Sequence, residues 1–350
     1  MPTAALAEEI LTPGDGRIRA LIVSGGNPVV AWPDQELTLR AMQDLELLVV
    51  IDCRVSPTAE HAHHIIASTL SLERADVPHL MDRWFRAPYT NYTDAVVERD
   101  GDVVNEWEVF WELARRLSST LPFPGGDAPM DPADKPTDHD IIDLAYAGSR
   151  MPLDEVRRQR RQVHPERAMV VQPADPGATA RFQVAPDDLM AELARVRNER
   201  SAADGVVADG VDPDLYPFRL VSRRLKHVLN SLGTELPAIA AKGITNPAYM
   251  NPDDVVDLGV VDGDIVEISA PAGSVWAVVE SAPDVRRGVI SMAHSWGGSS
   301  TTDEKVRDIG SPTNRLVATD RSYDPVTGMV VQSAIPVAVR ALPGPNPPAT

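Results

Sequence analysis

Three groups of polar side chains in this sequence have the types and spacing for chemistry. The first is Gly25-Gly26-Asn27-Pro28, which interrupts an apolar run and precedes a helical pattern. Two glycines let the backbone approach a ligand closely, and helix amides just beyond them favour an anion such as a pyrophosphate. Asp52 ends the apolar run LLVVID. In folds of this kind a carboxylate there often holds a ribose hydroxyl or a base edge. A tight turn with a helix cap accounts for the same residues without a ligand, and the spacing is not the GxGxxG of a usual NAD site.

The second group lies in the C-terminal third. Ser222, Arg223, Arg224, His227, Asn230 and Ser231 gather after one apolar run, and His294, Ser295, Trp296 and Gly297 follow another. Guanidinium groups give planar bidentate contacts to phosphate, while Asn and Ser match the donors and acceptors of a pterin or purine. Either cluster also serves as plain structure. The third group is His61, His63 and His64, where residues three apart on a helix could share a metal with Glu60 or Glu73. The chain lacks HExxH and a third-ligand motif, so a metal hydrolase built on His61 and His64 competes with surface or partner-facing histidines. Neither a GxSxG elbow nor a GxxxxGK[ST] loop is present.

These residues need elements to position them. Arg19–Val23 reads as a strand stopped by the glycine loop, and Leu37, Ala41, Met42 and Leu45 have helical spacing over 34–45. Leu47–Ile51 is a second, near-continuous apolar strand, which completes a βαβ unit of a parallel sheet covered on both faces. Ser56-Pro57 predicts a capped helix running to about Leu70. A further helix from Trp107 carries Phe110, Trp111, Ala114 and Leu117 as a core-facing stripe. LPFPGGDAPMDPADK at 121–135 and the stretch 201–214 read as connectors around a helix at 187–200. Between them, Arg157, Arg158, Arg160 and Arg161 mark a short basic helix with a solvated or salt-bridged face.

After Tyr216 the runs FRLVS, DIVEISA, SVWAVVES, GVISMA and AIPVAV predict short strands, with a capped two-turn helix from Asn251 to Gly259. Short strands around a small inserted helix predict a compact barrel.

The balance of 51 acidic and 33 basic residues gives a formal charge of −18, which repels nucleic acid and anionic membrane surfaces. The 350 residues suffice for two domains, and no run approaches the ~18 apolar residues of a membrane span. The first 20 residues carry no basic and apolar leader pattern, which predicts a cytoplasmic location. Cys53 is the single cysteine, so the chain's own thiols build neither a disulfide nor an iron–sulfur cluster; its place after LLVVID predicts a buried, reduced thiol.

Taken in order, six segments resemble the C-terminal half of the molybdopterin oxidoreductases of the dimethyl-sulfoxide-reductase and formate-dehydrogenase type. They are ALIVSGGNPVVAWPD, LELLVVIDCRVSPTAEHAHHIIASTLSLER, RLVSRRLKHVLNS, NPAYMNPDDVVDLGVVDGDIVEISAPAGSV, RRGVISMAHSWGG, and the tail from TNRLV to AIPVAVRAL. The resemblance covers most of the chain outside 121–215. It implies α/β plus β architecture: a partial parallel α/β domain over 1–120, a connector over 121–214, a six-stranded double-psi β-barrel over 215–343 that binds the dinucleotide, and a tail.

By the same resemblance the cofactor is a bis-molybdopterin guanine dinucleotide with molybdenum. Gly26, Asn27 and Pro28 would line a cofactor loop, and Asp52 would face a guanine or its ribose. Ser222, Arg224, His227 and Asn230 would lie along a pterin or phosphate, with His294, Trp296 and Asn314 on the opposite wall. One motif departs: where the family reads TAxxADVVLP, this chain has TAEHAHHIIAS. The iron–sulfur domain and the metal-ligating residue of a full-length member lie upstream of the matched region. The resemblance therefore implies a split or truncated enzyme that is inactive without an N-terminal half or companion subunit, an open sheet edge, and no catalytic or metal-ligating residue in this chain. A non-catalytic carrier or store for the pterin dinucleotide is the alternative function.

Overall fold

The computed structural model describes residues 2–77, 89–149, 151–159, 161–163, 175–201, 211–299 and 305–342. These fall into two compact units, residues 1–50, 55–64 and 183–350 in the first, and 51–54 and 65–182 in the second.

The chain opens with helix α1 (Leu6–Leu11) and strand β1 (Ala20–Ser24). Gly25 takes a positive φ of 60°, and Asn27-Pro28 starts the one-turn helix α2 (Pro28–Ala31). Asp34 then caps α3 (Gln35–Asp44), its carboxylate accepting from Leu37 N at 3.0 Å. Strand β2 (Leu47–Asp52) follows. Ile10, Val23, Ala41, Met42, Leu48 and Val50 form the core under α1 and α3.

The helix expected from Ser56 to about Leu70 is overturned. Ser56 Oγ does accept from Ala59 N, but only a 3-10 turn forms at Ala59–His61, and the chain then extends as β3 (His64–Ala67). His63 decides this locally: its N donates to Leu48 O at 2.9 Å and its Nδ1 accepts from Leu48 N at 2.8 Å, capturing the segment alongside β2. Ile65 and Ile66 favour the extended form. The sheet order is β1-β2-β3. The three histidines thus lie in a turn and a strand rather than on the one helix face expected, and no group of three or more His, Cys, Asp or Glu among the described residues could hold a metal. Cys53 is exposed, not buried, because β2 has ended before it.

The second unit carries β4 (Tyr89–Asn91), α4 (Glu106–Arg116), the two-residue pair β5 (Pro122–Phe123) and β6 (Gly126–Asp127), α5 (Asp138–Tyr146), α6 (Leu153–Gln159) and β7 (Arg161–Val163), which pairs with β4. Asn105 and Glu108 cap α4 reciprocally. Of its expected stripe only Trp111 is buried. Trp107 packs on the Trp111 core and Ala114 is half-buried, while Phe110 and Leu117 are exposed at 40% and 76%, so the stripe is shared between core and water. Arg157 pairs with Asp143 at 2.8 Å and Asp154 at 3.4 Å, the salt-bridged face expected there; Arg160 and residues 202–210 of the second connector lie outside the described residues.

Returning to the first unit, α7 (Asp187–Ser201) precedes the barrel strands β8 (Phe218–Arg223), β9 (Ala248–Met250), β10 (Ile265–Ala270), β11 (Gly273–Ser281), β12 (Val289–Ala293) and β13 (Ile335–Ala341). Helices α8 (Pro237–Ala240), α9 (Pro252–Asp257) and α10 (Val306–Ile309) fill the connections. The barrel closes in the order β10-β11-β9-β12-β8-β13, with β8 parallel to β12 and β9 parallel to β11. Strict alternation along β10 and β11 sends Val266, Ile268, Val275 and Ala277 into the same core as Leu220, Met250, Ile290, Met292 and Val337. No helix among the described residues is long and apolar enough to cross a membrane.

Candidate functional site

Because β8 and β12 run parallel with Arg223 opposite Ala293, their carboxyl ends deliver Arg224 and His294 side by side. A shallow open cleft forms there, with Arg223, Arg224, Asn230, His294 and Trp296 as its polar and aromatic wall and Leu225, Val228 and Ala293 as its apolar lining. Arg224 Nη1 donates to Asn230 Oδ1, which fixes the turn after β8; Asn230 itself sits at a φ of 54°. The Arg223 guanidinium stacks 3.9 Å above the Tyr249 ring of β9. His294 Nδ1 lies 2.8 Å from Ser295 Oγ. Burial first, and then the Arg224 charge, hold the His294 imidazole below its ordinary range, so it is neutral at physiological pH. The cleft therefore combines fixed positive charge with neutral donors and acceptors.

The glycine loop and the barrel meet at a second, buried place within the same unit. Asn27 Oδ1 accepts from Thr58 Oγ1 at 2.7 Å, and Thr58 Oγ1 accepts from Val29 N at 3.1 Å. Asn314 Nδ2 donates to Val29 O at 3.0 Å and Trp32 O at 2.6 Å, while Gln35 Nε2 donates to Val29 O at 2.9 Å and Gly298 O at 3.0 Å. Asp34 N donates to both Asn314 O and Val317 O, and His61 Nε2 is 2.8 Å from Ser299 Oγ. The His294–Gly298 turn is thus tied to the loop that follows β1. Gly310 makes this closeness possible. At a φ of 76°, a Cβ on it would collide with Asn246 Oδ1 and meet Trp296 Cβ at 3.2 Å. Asn246 in turn bridges Ala293 O at 2.7 Å and Ser311 O at 2.8 Å.

Of the residues singled out in the sequence, Arg224, Asn230, His294 and Trp296 are brought together in the cleft. Asn27, Pro28 and Asn314 are buried at the junction, with Gly26 beside them and half-buried. One atom there stands out: Asn314 Oδ1 is buried without a hydrogen-bond partner among the described residues. Ser222 and His227 are exposed and outside the cleft lining; Ser222 Oγ donates to Gln332 O at 3.3 Å. Asp52 is half-buried at the end of β2. Gln35, Thr58 and Asn246 were missed, since nothing local distinguishes a helix Gln or a loop Asn whose bonds span tens to hundreds of residues. Arg223 carried a signal, as half of an arginine doublet ending an apolar strand.

Residues 1–116 match the family model described as molybdopterin oxidoreductase, and residues 218–334 the one described as molydopterin dinucleotide binding domain. The dimethyl sulfoxide/trimethylamine N-oxide reductase of Rhodobacter capsulatus is 26% identical over 294 residues, covering 77% of this chain and 34% of the relative. The assimilatory nitrate reductase catalytic subunit of Bacillus subtilis (strain 168) is 22% identical over 323 residues, covering 86% of this chain and 41% of the relative. The chain thus spans roughly two-fifths or less of the length of these curated relatives. In fold it is similar to the acetylene hydratase of Pelobacter acetylenicus, with a TM-score of 0.72 at 17% identity over 97% of this chain and 46% of that one. The matched segments, 1–116 and 218–334, are thus an α/β segment of the molybdopterin oxidoreductase family and a molydopterin dinucleotide-binding barrel.

Proposed function

We propose that this chain forms one wall of the site for a molybdopterin guanine dinucleotide in a molybdenum-dependent oxidoreductase, and that turnover requires a further polypeptide segment or companion chain supplying the metal ligand and the electron relay. The observation that carries the reading is the cleft at the parallel ends of β8 and β12, where an arginine, an amide and a neutral imidazole converge.

The residues present fit such a group on the chemistry of their donors. Arg224 and Arg223 offer planar guanidinium groups to phosphate oxygens. His294, kept neutral, has Nδ1 engaged with Ser295 and so can present Nε2 to a heterocycle edge. Asn314 Oδ1, buried and unpartnered among the described residues, is an acceptor suited to a ring N–H. When bound, the molybdenum centre supplies the change of oxidation state. The chain's own contribution is orientation and electrostatics: the arginines neutralise phosphate charge, the Gln35 bond to Gly298 O holds the His294–Gly298 turn in place, and the Asn314 bonds to Val29 O and Trp32 O hold the loop after β1.

The test is to produce the chain alone and together with a cysteine-rich companion, and to measure molybdenum and pterin in each. Both are expected to co-purify only in the joint preparation. A full complement retained by the lone chain overturns the need for a companion, and its absence from the joint preparation overturns cofactor binding.

A further inference from the structure

One of the two arginines in the cleft wall is already engaged: Arg224 Nη1 donates to Asn230 Oδ1. Arg223 is half-buried, and its side chain makes no hydrogen bond or ion pair among the described residues. What holds it is the Tyr249 ring, over which its guanidinium lies at 3.9 Å. The Tyr249 hydroxyl has no hydrogen-bond partner among the described residues either, so the ring and not the phenol oxygen makes this contact. Glu280, opposite Tyr249 on β11, forms no ion pair with Arg223 among the described residues and leaves the cation available.

The strand register explains how the two side chains meet. Leu220, Ala248, Met250, Ile290 and Met292 point into the barrel core, so alternation puts Arg223, Tyr249, Ser291 and Ala293 on its outer face. Strand β12 lies between β8 and β9, with Ala293 opposite Arg223 and Ser291 opposite Tyr249. Two strand spacings separate the backbones of Arg223 and Tyr249 by about 10 Å. Their side chains span that gap because the β12 residues between them are small: Ser291 and Ala293, 9% and 4% exposed, form the floor beneath the contact. A guanidinium laid over a ring keeps its in-plane N–H groups for an anion. An arginine ordered only by its ligand gives up rotamer freedom on binding, whereas one already held against a ring does not. We propose, resting on the reading of the cleft as a nucleotide site, that Arg223 rather than Arg224 is its principal diphosphate anchor and that Tyr249 is the positioning residue that holds Arg223 ready.

The test titrates the full chain with guanosine diphosphate, which carries the guanine and diphosphate of the proposed cofactor. Nuclear magnetic resonance follows the backbone amides of His294 and Trp296 for binding and the nitrogen relaxation of Arg223 Nε–H for side-chain order. The wild type is expected to bind with a Kd on the order of 0.1 mM and to show an ordered Arg223 before ligand is added. Tyr249→Phe keeps the ring and should bind within about twofold of wild type, while Tyr249→Leu should bind about fivefold more weakly with Arg223 Nε–H newly mobile. Arg223→Met should weaken binding at least tenfold and more than Arg224→Met does. Adding Tyr249→Leu to Arg223→Met should weaken it no further, since Tyr249 acts through Arg223. Arg223→Lys keeps the charge without the planar fork and lies outside the core, so it stays informative if Tyr249→Leu perturbs the barrel; it should bind about fivefold more weakly. A wild type whose His294 and Trp296 amides do not move up to about 10 mM ligand would overturn the nucleotide reading of the cleft, and this proposal with it. Wild-type binding that Tyr249→Leu or Arg223→Lys leaves unchanged, that Tyr249→Phe loses as fully as Tyr249→Leu, or that falls further in the double variant would overturn the positioning role alone.

Discussion

Replacing Gln35 with Leu gives the sharpest physical test of how the glycine loop is tied to the barrel. The side chain is fully buried, with Nε2 donating at 2.9 Å to Val29 O and at 3.0 Å to Gly298 O. Leucine fills similar space and loses both bonds. Two bonds at about 1 kcal/mol each, plus part of the penalty of about 1–3 kcal/mol for leaving Gly298 O without a donor, give a loss of about 2–4 kcal/mol. Val29 O keeps its second donor, Asn314 Nδ2, in that variant. The reverse holds in Asn314→Ala, which also removes the unpartnered Oδ1 and so costs less than Gln35→Leu. Only the double variant strips Val29 O of both amides, and its cost should exceed the sum of the singles by about 1–2 kcal/mol. Urea denaturation of the four proteins, followed by tryptophan fluorescence with m-values compared, measures this cycle. A cost below about 0.5 kcal/mol for Gln35→Leu, or strict additivity, would refute the reasoning.

Three further outcomes follow from single features. Gly310→Ala forces a Cβ into Asn246 Oδ1 at a backbone φ of 76°, so it should cost about 2 kcal/mol or more and lower the melting temperature. Since the folded His294 imidazole is held below its unfolded range, its contribution to stability is complete above about pH 6.5 and is lost as pH falls through the folded value; stability against pH should flatten on that side in His294→Gln. Burial, then the Asp52 carboxylate, push the exposed Cys53 thiol up, so iodoacetamide should alkylate it more slowly than a free thiol at pH 7, and Asp52→Asn should speed the reaction.

What could be read in the sequence was what short-range patterning encodes. The run ending at Ser24, the spacing of Leu37, Ala41 and Met42, and the Asn251-Pro252-Asp253 cap became β1, α3 and α9. The barrel strands were legible because alternation over five or more residues has few competing explanations. Strand β9 was not, since Ala248–Met250 is too short to alternate and pairs only because β11 and β12 flank it. The segment after Ser56 failed for a related reason. A cap and proline promise a helix, yet two bonds between His63 and Leu48 outweigh them. Of the candidate site, the arginines and His294 were visible as chemistry at strand ends. The junction residues Asn27, Pro28 and Asn314 entered as site residues only through the resemblance, and the bonds that join them were invisible, because Asn314 reaches partners 282 and 285 residues away.

The most direct test of the proposed cofactor site is the amount of pterin dinucleotide and molybdenum retained by the chain co-produced with a cysteine-rich companion, comparing wild type with Arg224→Ala/His294→Ala. The cleft as described predicts near-stoichiometric retention in the first and at least a tenfold loss in the second, with the folded circular dichroism signal unchanged. Equal retention in both proteins would contradict it.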